Sequence, residues 1–170
     1  KRVRGIAGRS LKYKINDYFT LQGRGNADYI SDKYEQKIYA GTHAGIAGGN
    51  NGRYIFSEST NMSLYGDAML TYQQYFNNFM VNATIGASIN DNKWESSGAD
   101  SAHGQLYNPN IFTLTNIDLN AGAVSQSKGH TQSQSIFFAG QIGYRDMLFL
   151  DVTARNAWTS TLAFTDSKNS

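Results

Sequence analysis

The sequence predicts an all-β fold of antiparallel up-and-down β-hairpins, with about six long strands forming part of a large transmembrane β-barrel. Three observations predict this fold. Apolar and polar side chains alternate over long stretches, the connections are tight on one side and long on the other, and charged residues avoid the apolar face. Pro occurs only once in the chain, which suits long strands because Pro removes a backbone hydrogen-bond donor.

The first hairpin is apolar at odd positions in both arms, from 3 to 15 and from 19 to 29. Arg9 is the exception. Because side chains alternate between the two faces of a strand, paired residue numbers must then sum to an even number. Pairing Ile15 with Phe19 satisfies this condition and predicts a three-residue turn.

The second hairpin covers 61 to 89 and turns at Asn77 and Asn78. Pairing Phe76 with Phe79 across a two-residue turn brings the two apolar faces together, and Asn tolerates the positive φ that such turns require. Each arm has about ten residues or more, which is near the ~9 to 11 that a tilted strand needs to cross a bilayer.

The third hairpin follows near the C-terminus, at about 132 to 158, where Tyr144 ends one arm and Leu148 begins the next. Parity again predicts a three-residue turn, at 145 to 147. The type of this turn and of the turn at 16 to 18 stays open, because Met147 and Tyr18 suit the left-handed position of a bulged turn poorly.

Two long loops, at about 31 to 60 and 90 to 131, join the hairpins. The first contains a Gly-rich run, at 41 to 52, and the second a polar run, at 125 to 135. Loops of this length are uncommon in compact soluble domains. In outer-membrane barrels, by contrast, short turns face the periplasm and long loops face outward.

Charges are distributed unequally between the two faces. Within the predicted strands the apolar face carries Arg9 alone, and an Arg or Lys facing lipid at the midplane costs roughly 2 to 4 kcal/mol. The polar face carries Lys12, Lys14, Arg24, Asp28, Asp67, Asp151 and Arg155. Aromatic residues gather near the tight turns, as in an interfacial girdle. A soluble β-sandwich explains the alternation equally well, but it explains the loop asymmetry and the Gly- and Ala-rich apolar face less well.

The composition limits the function further. The 170 residues carry a net charge of +2, only 16% are charged, and Cys is absent. The basic residues form no stripe, so we expect no nucleic-acid partner. Disulfides and thiolate metal sites are excluded, and no apolar run is long enough for a transmembrane helix.

We expect no catalytic residue, cofactor or metal site, so the chain is not expected to be an enzyme. His43, His103 and His130 fall in separate loops without ligand spacing, and His103 with Asp100 is the nearest approach to a paired motif. Substrate contact is the alternative that we consider, with a solvated wall as the simpler interpretation of each residue. The candidates on the polar face are Arg24, Asn26, Asp28, Tyr65, Asp67 and Arg155, and the loop aromatics that can stack on sugar faces are Tyr54, Trp94 and Tyr107.

Several stretches resemble a known family. DKYEQKIYA (32 to 40), LYNPNIFTLTNI (106 to 117) and LFLDVTARNAWTSTL (148 to 162) are similar to the barrel of SusC/RagA-type TonB-dependent outer-membrane transporters. The resemblance implies a large barrel with an internal plug, energised through TonB, in the outer membrane of a Gram-negative bacterium. It further implies import of oligosaccharides or peptides, with a SusD-like surface lipoprotein as a lid.

By this resemblance residues 1 to 170 are an internal barrel segment without a plug domain, facing outer-membrane lipid. Two alternatives remain. The chain is either an outer-membrane anchored adhesin or binding barrel, or a soluble β-sandwich binding module. A plug domain and a TonB box upstream would favour the transporter.

Overall fold

The structure is a computed structural model that describes residues 1–47, 50–101, 106–118, 123–145 and 147–160. Six strands form one sheet, and their order in the sheet is their order in the sequence. The strands are β1 (Arg2–Lys14), β2 (Phe19–Ile38), β3 (Arg53–Phe76), β4 (Phe79–Asp100), β5 (Ala123–Tyr144) and β6 (Leu148–Thr159). The predicted fold class is therefore confirmed. A single sheet also rules out the two packed sheets of a β-sandwich.

The strands are longer and the loops shorter than the sequence pattern predicts. β2 to β5 contain 20, 24, 22 and 22 residues, whereas an average strand has about 5 to 6. Parts of the predicted loops at 31 to 60 and 90 to 131 are therefore strand. These extensions are largely polar on both faces, so no apolar alternation marks them. The described helices are a four-residue helix, Ala44–Ala47, and a 3₁₀ turn, Leu114–Asn116, and neither is long and apolar enough to cross a membrane.

The first tight turn is held by a side chain. Ile15 donates from its backbone N to the Phe19 carbonyl at 2.9 Å, as the predicted three-residue turn requires. The Asn16 Oδ1 accepts hydrogen bonds from the backbone N of Tyr18 at 2.9 Å and of Phe19 at 2.8 Å. An Asn side chain that bonds two or three residues onward replaces a backbone turn bond, so this turn needs no glycine.

The other two turns lie where the pattern predicts them. β3 ends and β4 begins on either side of a two-residue turn, in which Asn77 has φ of 50°. Between β5 and β6 the register pairs Tyr144 with Leu148 and Ile142 with Leu150, so the apolar faces of both strands coincide. The positive φ of this turn, 51°, falls on Arg145 rather than on Met147.

The chain divides into two compact units, each continuous in space but not in sequence. The turn-bearing unit comprises 6–28, 63–92 and the part of the chain from 130 onward. Its apolar side chains do not converge in a dry centre, since Leu64 is 38% exposed, Ile85 53% and Leu150 62%. Aromatic side chains of neighbouring strands pack beside the tight turns, Phe19 with Tyr72 at 5.0 Å and Phe79 with Tyr144 at 4.9 Å between ring centroids.

The loop-bearing unit comprises 1–5, 29–62 and 93–129. It contains a small buried cluster of Tyr54, Ala99, Leu106 and Ile117, with Phe56 and Phe112 packed against it. The segment from 106 to 117 therefore folds onto β3 and β4 and buries Leu106 and Ile117 there. At the ends of the described sheet, β1 and β6 each have a single neighbouring strand.

Candidate functional site

A buried ion pair joins β2 to β3 on the polar face of the turn-bearing unit. Arg24 donates from Nε to both carboxylate oxygens of Asp67, at 3.0 and 3.1 Å, and its Nη2 lies 3.0 Å from Oδ2. The Asp67 side chain has no exposed surface, whereas that of Arg24 is 45% exposed. Tyr65 also hydrogen-bonds to Asp67. A carboxylate without water contact is stable only when donors surround it, so Asp67 fixes the position of Arg24 on the polar face.

The other three polar-face candidates are not part of this cluster. The Asn26 side chain is exposed and lies over Gly8 of β1, where a Cβ would come within 2.5 Å of the Asn26 Oδ1. Asp28 is half-buried and has an interaction of its own. Arg155 is exposed on β6 and interacts electrostatically with Tyr65. Hydrogen bonds therefore join Arg24, Tyr65 and Asp67, and Arg155 is coupled to Tyr65 electrostatically only.

Hydrogen-bonded polar pairs connect further strands across the polar face, and the sequence pattern alone did not single them out. They are Thr71 with Thr84 at 3.1 Å, Ser88 with Ser135 at 2.8 Å, and the Gln141 amide donating to Asp151 at 2.8 Å. Such cross-strand pairs contribute roughly 0.2 to 1 kcal/mol each. The signal that predicts them is the register, because partners on one face follow once a turn is placed.

Hollows occur on both faces of the turn-bearing unit. One of about 230 Å³ lies on the polar face and is lined by side chains that include Asn82, Gln141 and Asp151. A larger hollow, of about 460 Å³, includes Ile136 and Trp158 among its apolar walls. The larger hollow therefore lies mainly on the apolar face, although Asp67, Ser88 and Ser135 also line it.

The three predicted loop aromatics have different environments. Tyr54 lies within β3 rather than in a loop and is buried, so its ring is not available for stacking. Trp94 lies within β4, also outside a loop, and remains 43% exposed. Tyr107 is exposed on the loop between β4 and β5, and its hydroxyl lies 3.4 Å from Asp118. Only Tyr107 fits the prediction of an exposed aromatic on a loop, while Trp94 is exposed on a strand.

Asparagine side chains hold the segment from 106 to 117 in place. The Asn116 amide donates to the carbonyls of Asn108 and Ile111, both at 2.8 Å, and its Oδ1 accepts from the Asn108 backbone N at 2.9 Å. Asn110, with φ of 60°, accepts a 2.7 Å hydrogen bond from the Ala40 backbone N. The Asn51 amide donates to the Leu106 carbonyl at 2.7 Å. The sequence LYNPN therefore encodes a fixed loop conformation.

The histidines show one pairing that the sequence analysis did not predict. The His130 Nε2 lies 2.7 Å from the Asp91 carboxylate, while Asp100, the predicted neighbour of His103, forms an ion pair with Arg53 at 2.6 Å. His103 lies outside the described residues. Among the residues that the structure describes, no group of three or more His, Asp or Glu is arranged to hold a metal ion.

Charged groups of the loop-bearing unit have shifted pKa values where they are hydrogen-bonded, as at Glu35 and Arg53. The pKa of Glu35 is lowered, first by the hydrogen bond from Lys37 and then by the one from the Tyr54 hydroxyl. Burial raises the pKa of Tyr54, and its hydrogen bond to Glu35 raises it further. The hydrogen bonds to Asp100 raise the pKa of Arg53. At neutral pH these groups therefore keep their ordinary charge states.

Comparison with solved structures gives a consistent result. The chain is similar to the structure of the RagAB peptide transporter, with a TM-score of 0.79, 12% identity, and coverage of 94% of this chain and 18% of that one. It is similar to the RagAB peptide importer in the open-open state, with a TM-score of 0.77, 12% identity, and coverage of 98% of this chain and 19% of that one. For the closed-closed state the TM-score is 0.72, the identity 13%, and the coverage 92% of this chain and 18% of that one. No family model and no curated protein matches the sequence. The chain spans about one fifth of the length of these structures and shares its fold with that part of them.

Proposed function

We propose that the chain forms part of the wall of a SusC/RagA-type TonB-dependent transporter in the outer membrane of a Gram-negative bacterium. Its apolar face contacts lipid and its polar face lines the transport path. The imported substrates are oligosaccharides or peptides, and a SusD-like surface lipoprotein acts as the lid. TonB acts through parts of the protein beyond this segment.

The single observation that carries the proposal is the exposure of the apolar face. In the turn-bearing unit, side chains such as Leu64, Ile85 and Leu150 alternate with polar ones and are not covered by other described residues. A soluble monomer rarely exposes a contiguous apolar surface larger than a few hundred Å². Hydrocarbon covers such a face at no cost, and the opposite face keeps its charges paired or in water.

The likeness to the RagAB structures supports the same proposal. The similarity covers nearly the whole chain, and those structures are of a peptide transporter. The aromatic pairs beside the tight turns also match the interfacial girdle of a membrane barrel.

Adjacent residues on opposite faces provide the test. Ile85 lies on the apolar face and Thr84 on the polar one, and the chain contains no native Cys. We expect a spin label at Ile85→Cys, in the barrel reconstituted into lipid vesicles, to be relaxed mainly by oxygen, which concentrates in the bilayer. A label at Thr84→Cys should instead be relaxed by a water-soluble nickel chelate.

Equal access of the nickel chelate to both labels would contradict the proposal. A second measurement is independent of the labels. Expressed alone in water, the chain should aggregate, and it should acquire strand structure only in detergent or lipid. A sharp, cooperative melt of a monomer without detergent would also count against a lipid-facing wall.

A further inference from the structure

The Trp94 side chain packs against Gly129, away from the ion pair of Arg24 with Asp67. The indole of Trp94 lies directly against Gly129 on the neighbouring strand β5. A Cβ at Gly129 would meet the indole Nε1, Cε2 and Cζ2 at 2.5, 2.6 and 2.8 Å. These three atoms are consecutive in the indole, so the side of the ring that carries Nε1 packs against the glycine backbone. Any residue larger than Gly at this position would move the ring.

The rest of the Trp94 ring is open. Its 43% exposure is large for a side chain already packed on the strand beside it, so the indole is supported on one side and available on the other. A supported, exposed ring is preorganised for stacking, because little side-chain freedom remains to be lost when a ligand binds.

The surroundings of the ring are hydroxyl-rich and uncharged. By strand alternation Ser96 shares the face of Trp94 on β4, and Ser125 and Ser127 share the face of Gly129 on β5. Further along the same face of β4, the position of a Cβ at Gly98 is 3.4 Å from the Ser125 Oγ. Serines of β4 and β5 therefore share the face on which the indole lies.

Two ion pairs lie on this face in the described part of the loop-bearing unit. Arg53 binds Asp100 through two hydrogen bonds of 2.8 and 2.6 Å, and Arg2 binds Asp32 through two of 2.7 and 2.8 Å. A ligand with a formal charge finds no matching unpaired group in these pairs. A neutral ligand with apolar C–H faces and many hydroxyls matches an aromatic ring surrounded by serines.

We propose that Trp94, positioned by Gly129, is a stacking platform for a pyranose ring of a neutral oligosaccharide. The inference rests on the proposed function and selects one of its two substrate classes. Trp94 contacts the sugar, and the neighbouring serine hydroxyls exchange hydrogen bonds with the sugar hydroxyls. Gly129 is a positioning residue, since it acts only through the orientation of the indole.

The test uses the complete transporter that contains this segment, in detergent, with maltohexaose, xylohexaose and mannohexaose as neutral probes. We expect at least one probe to bind, and Trp94→Ala to weaken that binding by about tenfold, the factor that corresponds to about 1.4 kcal/mol. Trp94→Phe keeps an aromatic face and should recover part of the affinity. The measurement is isothermal titration calorimetry.

Gly129→Ala tests the positioning role, with Gly5→Ala as the matched control because nothing lies within 4 Å of a Cβ at Gly5. We expect Gly129→Ala to weaken binding several-fold at an unchanged melting temperature, while Gly5→Ala leaves binding unchanged. A melting temperature that falls with the affinity would indicate a merely structural role for Gly129 and would overturn that part of the proposal.

Three results would overturn the sugar platform. They are wild-type affinity in Trp94→Ala, no binding of any probe, and an equal loss of affinity in Gly129→Ala and Gly5→Ala. Uptake of a peptide that depends on Trp94 without sugar binding would move the platform to the other substrate class. Failure of the proposed function is distinct from these outcomes, because it would appear as absence of membrane insertion in the spin-label experiment.

Discussion

For the ion pair between Arg24 and Asp67, we predict that the effect of Asp67→Asn on stability changes sign when Arg24 is also replaced. The Asp67 side chain has no exposed surface, and Arg24 is nearly half exposed. Replacing Arg24 by Ala leaves a buried carboxylate with Tyr65 as its remaining donor, and removing one partner of a buried pair costs about 3 to 5 kcal/mol. We expect the lower end, about 3 kcal/mol, because the Tyr65 hydroxyl still hydrogen-bonds to the carboxylate.

Asp67→Asn alone keeps the shape of the side chain and weakens charge-assisted hydrogen bonds, so it should cost about 1 kcal/mol. In the Arg24→Ala background the same change removes an uncompensated charge and should instead restore about 1 to 2 kcal/mol. The assay is urea unfolding of the barrel in lipid vesicles, for the wild type, both single variants and the double variant. Destabilisation by Asp67→Asn in both backgrounds would refute the reasoning.

Three further predictions concern the loop-bearing unit. Because hydrogen bonds lower the pKa of Glu35 from its ordinary 4.5, its contribution to stability is present above that value and is lost as pH falls through the lower folded-state value. Glu35→Gln should abolish this acid dependence of the free energy of unfolding, which should be small because solvent screens the exposed group. Gly52 has φ of 90°, and a Cβ there would clash with the Ile38 carbonyl oxygen. Gly52→Ala should therefore lower the free energy of unfolding by about 2 kcal/mol or more. An unchanged denaturant midpoint would contradict this prediction. Asn116→Ala removes hydrogen bonds to two carbonyls and a backbone N and should cost about 3 kcal/mol, visible as faster proteolysis within 106 to 118; unchanged cleavage would show that the segment is held by its apolar contacts alone.

The turn-bearing unit was predictable because apolar and polar side chains alternate along its strands. The apolar faces of paired strands coincide in one parity only, so parity fixed the pairing of Ile142 with Leu150 and the lengths of the three tight turns. The side-chain bond that holds the first turn is also visible in the sequence, since Asn16 is the turn residue best able to make it. The left-handed residue of the third turn was not predictable, because Arg145 has no intrinsic preference for that conformation.

The loop-bearing unit was much less predictable. The end of β2 is mainly polar, and β3 begins with three consecutive apolar residues, at 54 to 56, so neither stretch alternates. Backbone pairing alone extends the two strands there. Tyr54 was assigned to a loop for this reason and proves to be buried in β3. The contact of Trp94 with Gly129 depends on a register between two such strands, which a single sequence does not specify.

The two outer strands of the sheet determine how this segment behaves when it is cut from its surroundings. In the described sheet, β1 and β6 each have backbone amide and carbonyl groups without a neighbouring strand on one side. In hydrocarbon such groups cost free energy, because no water is present to form hydrogen bonds with them. An isolated copy in water will therefore aggregate, because neither outer strand has a partner. If this segment is moved into another protein, both β1 and β6 need a partner strand there. A closed sheet, and not a single hairpin, is therefore the unit that can be exchanged.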